Sequence, residues 1–457
     1  MKYLIIIFFI FSGCISQIHA SANYNIAIEK VFVEGGTFSK EGKIISINSF
    51  YMSIYEITNF QYALFLNDTK ISADGLYHGI SLINIASSDL QIEYKNGQWN
   101  SKPGFESHPM VMVNYFGASQ FCNWIGGRLP TADEWLYSAT GRKKNHDFRY
   151  AGGNDLQKLG WYKENSQNQS HPVGKKTANN LGIYDLSGNV WEWCFNDSLK
   201  SDQDFCLHKG GSWYAGEQSA LVQSYYGNTP THYSNSVGFR VIFSSYPEQK
   251  RDNSFLANYS GKPWDNQYQQ IPGKVQAEWF DLGEEGKAYQ DQDAINNGSG
   301  KLNPINGNLL NAFRMNESVD ISYTKSNGID DSPYNIVKPT MGELYVGWTV
   351  PREWINYSVD IVAAGYYSLG LMYTASGNGG ISLLLDGKRL TNDVLIPSTK
   401  HSQETIPWRQ WHHWNKLVNI ATVYLPQGKH VLTLKTSLNG NMNYDYLELN
   451  PMNPKNQ

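Results

Sequence analysis

The chain has 457 residues, 14 Trp, 30 Tyr and a formal net charge of −4 at pH 7. That length exceeds one ordinary hydrophobic core and predicts two or three domains. No basic surplus supplies an electrostatic footprint for nucleic acid, and four cysteines exclude a disulfide-dense scaffold.

Met1 to Ala20 reads as a targeting segment. Lys2 supplies the positive end, and Leu4 to Phe11 is an unbroken apolar run. The run is too short to span a bilayer and fits a signal-peptide h-region. Two processing routes are open. Ile18-His19-Ala20 offers a small residue to ordinary signal peptidase. Phe11-Ser12-Gly13-Cys14 looks like a bacterial lipobox, in which Cys14 would carry the lipid anchor. Either route exports the protein to the periplasm, the cell surface or the medium. Of the other cysteines, Cys194 and Cys206 flank one loop and are placed to pair in an oxidising compartment. Cys122, close to Trp124, reads as a lone buried thiol.

Residues 30–245 form the first domain. Val31-Phe-Val-Glu-Gly-Gly-Thr-Phe38 predicts a short strand entering a Gly-Gly turn, and Ile45 to Tyr55 a β-ribbon. A helix follows, with Thr58 as N-cap and Phe60, Leu64 and Phe65 on its apolar face. His108-Pro-Met-Val-Met-Val113 reads as a buried strand and Phe116 to Trp124 as a second helix. Thr131 and Glu134 stand in capping-box register ahead of a third. Two aromatic-flanked turns close the domain, Gly188-Asn-Val-Trp-Glu-Trp193 and Lys209-Gly-Gly-Ser-Trp-Tyr-Ala215.

These segments, with Glu56-Ile-Thr-Asn59, Gly127 to Trp135, His171-Pro-Val-Gly174 and Val237-Gly-Phe-Arg-Val241, resemble the formylglycine-generating enzyme family, also called the sulfatase-modifying-factor fold. The resemblance spans nearly all of residues 30–245. It implies an α+β, C-type-lectin-like domain with little regular structure, often held by calcium. Asn189 and Glu192 fall in the family's calcium loop. The competing reading is that Asn189 only shapes a turn and Glu192 pairs with an arginine. Copper-dependent members use two cysteines five apart just after the Gly-Gly-Ser. Here those places are Ala215 and Ala220, and no cysteine follows Cys206. An alanine side chain cannot ligate a soft metal, so the fold is expected without its known nucleophiles. The histidine cluster of the iron-dependent sulfoxide synthases of the family is also missing.

Residues 246–270 are polar, without periodicity, and read as a linker. Residues 271–450 form the second domain. Short alternating runs are predicted as strands at Ser318 to Tyr323, Glu343 to Val350, Ile355 to Val362, Tyr366 to Thr374, Ile381 to Leu385, Leu417 to Leu425 and His430 to Thr436. Many short strands at this spacing indicate an all-β sandwich. The segment resembles a family-6 carbohydrate-binding module, a jelly roll. The carrying residues are Ile271 to Glu278, Ala288-Tyr-Gln-Asp291, Val346 to Tyr357, Leu425 to Leu434 and Asn443 to Glu448. The stretch Asn296 to Leu310 is an insertion.

The resemblance implies a structural calcium, with Gln276, Glu278 and Asp445 at the matching positions. It also implies sugar binding by loop aromatics and an amide of the last loop. Trp411 and then Trp408 are the stacking candidates, and Asn441 and Asn443 the hydrogen-bonding amides. Trp414 is expected in the core, and His412 and His413 facing solvent. The chain is therefore expected to be an exported glycan-binding protein with a catalytically silent first domain. The alternative is an exported oxidase or modifying enzyme of the same fold, targeted to glycans.

Overall fold

Turns, more than ladders, hold the first domain. The computed structural model describes residues 26, 28–40, 42–141, 148–196, 203–244, 254–296, 313–314, 316–326, 328–410 and 412–452. The leader with Cys14, part of the expected linker and nearly all of the insertion lie outside them.

Strands Lys30–Val33, Phe50–Ser53 and Ile242–Ser244 make a three-stranded sheet that ties the two ends of the domain together. A four-stranded sheet runs Tyr225–Asn228, Cys206–Lys209, Trp191–Trp193, Val237–Gly238. Among the described residues, three helices of two or more turns pack around them, α1 (Asn59–Asp68), α2 (Tyr115–Trp124) and α3 (Ala132–Ala139), with a single helical turn at Leu156–Leu159. Thr58 caps α1, and Thr131 with Glu134 forms the expected capping box on α3. Each such cap satisfies otherwise orphaned N–H groups.

Two details of this region differ from expectation. Phe65 is buried as expected, but Phe60 is 54% exposed and Leu64 only half-buried, and α1 buries Tyr62 and Leu66 in their place. One turn at 3.6 residues separates Tyr62 from Leu66, so the stripe is a proper helical face shifted off Phe60. The run from His108 to Val113 is buried but makes only isolated bridges, at Pro109 to Thr58 and at Val113 to Ile83. Met112 has a φ of 56°, which breaks the extended path.

The second domain is a two-sheet sandwich. One sheet runs Gln269–Ile271, Trp354–Ile361, Gly428–Leu438, Gly379–Leu385, Lys388–Arg389. The other runs Ile321–Tyr323, Leu344–Thr349, Met442–Pro451, Gly365–Ala375, Asn415–Leu425. Alternation sends Ile355, Tyr357 and Val359 inward with Leu432, Leu434, Leu369 and Leu447. The opposite face of the first sheet carries Trp354, Asn356, Thr433 and Lys435.

From residue 254 the expected linker is folded. Ser254–Asn258 is a short helix lying against the first sheet of the sandwich. Tyr259 donates to Asp281 Oδ2 at 2.6 Å, and Asp281 in turn accepts from Ser358. Polar composition concealed this, because the segment is held by hydrogen bonds and a few aromatic contacts rather than an apolar stripe.

The two domains are joined through α2. Asn123 Oδ1 accepts from Asn392 N at 2.9 Å, and Asn392 Oδ1 accepts from Leu129 N at 3.1 Å. Gln120 donates to the Asp393 carbonyl at 3.1 Å. Leu395 and Leu438 of the sandwich join the apolar core of the first domain. Among the described residues, no helix is long and apolar enough to cross a membrane.

Candidate functional site

The two glycine turns of the first domain are bonded to each other. Gly188 donates to the Gly210 carbonyl at 2.7 Å, and Trp213 N donates to the Asn189 carbonyl at 2.7 Å. Gly188 has a φ of 95°, and a Cβ there would stand 2.2 Å from the Trp161 carbonyl oxygen. Only glycine fits such a position. Asn189, at φ 59°, is fully buried.

The side chains behind these turns are spent on one another. Asn189 Oδ1 accepts from His171 N at 2.9 Å, and its Nδ2 donates to Glu56 Oε2 at 2.6 Å. Glu192 accepts from Trp135 Nε1 at 2.7 Å and from Arg240 Nε and Nη2 at 2.7 and 2.6 Å. Both ends of the Arg240–Glu192 pair are fully buried. The side-chain oxygens of Asn189 and Glu192 therefore face protein donors, not an open ligand sphere, and Glu192 takes the arginine pairing. Two carboxylates missed by sequence reading share this core. Burial, then Asp185 and Glu192, pushes Glu56 well above the usual carboxylate range. Burial lifts Asp185 to about 6, and its Oδ1 has no partner. Glu56 was legible, since it opens the quoted Glu56-Ile-Thr-Asn59 segment.

No thiol stands at the end of the Gly-Gly-Ser turn. Ala215 is half-buried and Ala220 buried. Cys122, Cys194 and Cys206 are all free and buried, so the expected Cys194–Cys206 pairing is not formed. Burial pushes all three thiols up, away from the reactive thiolate.

In the sandwich, Trp411 lies outside the described residues. Trp408 falls in the short turn Pro407–Arg409, and its side chain also lies outside them. Asn441 sits half-buried just before strand Met442–Pro451, with φ 43°. Asn443 is not in a loop. It belongs to strand Met442–Pro451, is fully buried, accepts from Trp348 N at 3.0 Å and donates to Thr374 Oγ1 at 2.8 Å. Its amide is thus engaged inside the protein. Trp414 is core, as expected, with Nε1 on Asp330 at 2.8 Å. His412 and His413 do not face solvent. Both are buried, His412 with Nδ1 2.8 Å from Asp330 Oδ1. Long alternation in Met442–Pro451 draws Asn443 inward, and the packing of Trp414 on Tyr345 carries the histidines with it.

The calcium candidates of the sandwich are differently placed. Gln276 ends strand Gly273–Gln276, which pairs with Met442–Pro451, and Ala277 N donates to the Asp445 carbonyl at 2.9 Å. Glu278 is 6% exposed and its Oε2 has no partner. Burial, with Asp445 and Glu343 nearby, pushes Glu278 up to about 8. Burial and Glu343 push Asp445 up to about 7, with Lys274 opposing. An orphaned buried carboxylate oxygen beside a second strained carboxylate fits a hard cation with oxygen ligands. Among the described residues no three His, Cys, Asp or Glu side chains gather as a metal cluster. Carbonyls and Gln276 would have to complete such a sphere.

A groove of about 660 Å³ opens on the outer face of the first sheet. Trp354, Asn356, Thr433 and Lys435 form its floor, and Phe255 and Tyr259 one wall. Phe255 and Tyr259 stack at 5.7 Å and 16°. Asn356 is fixed by Thr433, which donates to its Oδ1 at 2.6 Å. Volume and lining, aromatic with a few oriented polar groups, are those of a small-molecule site. No sequence motif pointed to it, because its wall comes from the segment read as linker.

Residues 18–245 match the sulfatase-modifying factor enzyme 1-like domain, and residues 321–451 the carbohydrate binding module (family 6). The chain is 30% identical over 239 residues to the serine/threonine-protein kinase Pkn1 of Chlamydia trachomatis, covering 46% of this chain and 38% of that protein. It thus spans about two fifths of the length of that relative. It is 29% identical over 280 residues to the chaperone protein LppX of Paenibacillus barcinonensis, covering 53% of this chain and 99% of that one. To the formylglycine-generating enzyme of Mus musculus it is 26% identical over 257 residues, covering 44% and 68%.

Proposed function

We propose that this chain, which carries a sulfatase-modifying-factor-like domain followed by a family 6 carbohydrate-binding module, is an exported glycan-binding protein whose first domain is a non-catalytic scaffold. One observation carries the reading: an aromatic-walled groove of about 660 Å³ on the sheet face of the module. Ring faces stack on the C–H surface of sugars, and oriented amides and hydroxyls fix their hydroxyl groups. Asn441, just before strand Met442–Pro451, is a second candidate for ligand contact, and the tryptophans at 408 and 411 stay candidates on the resemblance alone.

The non-catalytic part rests on Ala215 and Ala220 at the cysteine positions, and on three buried thiols elsewhere. Likeness to a protein named as a chaperone supports a scaffold task. The leader, with Ala20 or Cys14 at its processing point, supports export. Calcium joins the module at Gln276, Glu278 and Asp445, a role supported by the orphaned Glu278 oxygen. The test is glycan-array binding by the full chain beside Trp354→Ala and Asn441→Ala. Binding lost in Trp354→Ala supports the groove, and binding lost only in Asn441→Ala moves the site there. Absence of binding to every glycan rejects the function.

A further inference from the structure

The polar side chains that line the groove are turned toward the protein. Thr433 donates to Asn356 Oδ1 at 2.6 Å, and Asn356 Nδ2 donates to the Lys287 carbonyl at 3.1 Å. Tyr259 donates to Asp281 Oδ2 at 2.6 Å, and Asn258 Nδ2 to the Ser254 carbonyl at 2.7 Å. Lys287 pairs with Glu284 at 2.7 Å, and Gln290 donates to the neighbouring Glu285 at 2.7 Å. Ser254 and Lys435 have partners as well. Charges of both signs thus surround the groove and are engaged with each other or with the backbone. The remaining lining hydroxyl belongs to Ser260, an exposed residue.

Two kinds of surface are left for a ligand. One is aromatic and aliphatic, from Phe255, Trp354 and Leu384, each half-buried. The other is the Trp354 indole N–H, which meets no acceptor among the described residues. An indole nitrogen donates and cannot accept. A sugar hydroxyl that enters such a site takes its own O–H out of water and finds no acceptor, and a buried donor without a partner costs free energy. An O-acyl group has no O–H to lose. Its carbonyl oxygen accepts from an N–H, and its methyl group packs on rings and aliphatic carbon.

We propose that the groove takes a neutral glycan that carries O-acyl groups, with an acyl carbonyl on the Trp354 indole N–H and the acyl methyl on the apolar lining. The inference rests on the groove being the glycan site.

The experiment is calorimetric titration of the full chain with cello-, xylo- and manno-oligosaccharides and with the strongest glycan from the array, each in an O-acetylated and an unmodified form. At least one acetylated form is expected to bind about tenfold tighter than its unmodified counterpart. Its affinity should change little between low and high salt, because no ion pair is made. Trp354→Phe keeps a ring and removes the N–H, and is expected to cut the preference to about twofold or less with melting unchanged. Phe255→Ala is expected to weaken the acetylated form more than the unmodified one. Equal or weaker binding of every acetylated form overturns the acyl inference and leaves sugar binding standing. A preference that survives both variants, or an affinity that falls steeply with salt, overturns it too. Binding of no probe in either form and of no glycan on the array rejects the underlying reading as well.

Discussion

Two buried carboxylates, Glu192 in the first domain and Glu278 in the module, were read from sequence as the same thing, a calcium ligand. Their surroundings differ. Glu192 receives three hydrogen bonds from Arg240 and Trp135. Glu278 keeps an oxygen with no partner and has Asp445 and Glu343 for neighbours. A buried charge has to be compensated. In the first domain the chain compensates it internally, and in the module the compensation is left to a cation or a proton. The lesson is that the residue type sets what a site can bind, while the neighbours set whether anything is left to bind.

The largest effect should come from breaking the internal compensation. Arg240→Met leaves Glu192 buried without a counter-charge and is expected to cost about 3–5 kcal/mol, read as a large drop in the denaturant midpoint. A midpoint unchanged within error would mean that Glu192 is neutralised some other way.

Calcium should act on the other member of the comparison. At pH 8, calcium at a hundredfold excess over its dissociation constant is expected to stabilise the protein by about 2.7 kcal/mol. Glu278→Gln and Asp445→Asn should abolish that gain, and Glu192→Gln should leave it in place. A calcium gain that survives Glu278→Gln would put the ion elsewhere.

Without calcium, pH should sharpen the contrast. Glu278 and Asp445 are raised to about 8 and about 7 in the folded chain. Their unfolded values are the ordinary carboxylate ones, so the folded state holds more protons between the two. The contribution of these two groups to stability is therefore least favourable above pH 8. It rises as pH falls through 8 and 7 and levels off near 4, a gain on the order of a few kcal/mol. Asp185, raised to about 6, adds in the same direction. The difference between wild type and Glu278→Gln across this range isolates one carboxylate, and parallel curves would count against its raised pKa.

The smallest effect is expected at the seam between the regions. Asn392→Ala removes a bond from Leu129 N and leaves that buried donor unpaired, for about 1–3 kcal/mol. Calorimetry should then separate the melting of the two domains. A single unchanged transition would mean that Leu395 and Leu438 carry the interface.

Much of the fold was legible. Thr58, Thr131 and Glu134 announced their helices, because a cap is a local bargain between one side chain and N–H groups three residues on. Ile355, Tyr357 and Val359 announced a strand through alternation alone. The candidate site was less legible. Phe255 and Tyr259 sit in a stretch with no period. The fate of Asn443 turned on strand register, because a shift of one residue moves a side chain from one face of the sheet to the other.

By itself the sequence determined the local items: helix starts, alternating strands, the glycines at 188 and 210, and the alanines where thiols would be needed. Each depends on residues within a few positions or on a side chain that is simply not there. Tertiary structure alone decided the rest. It chose Arg240 for Glu192 across 48 residues, buried His412 and His413, left one Glu278 carboxylate oxygen without a donor, and folded the segment from 254 onto the module as a wall. These outcomes depend on which distant groups arrive beside a side chain when water leaves. Burial multiplies the strength of those encounters, so they outweigh local preference at the positions where function resides.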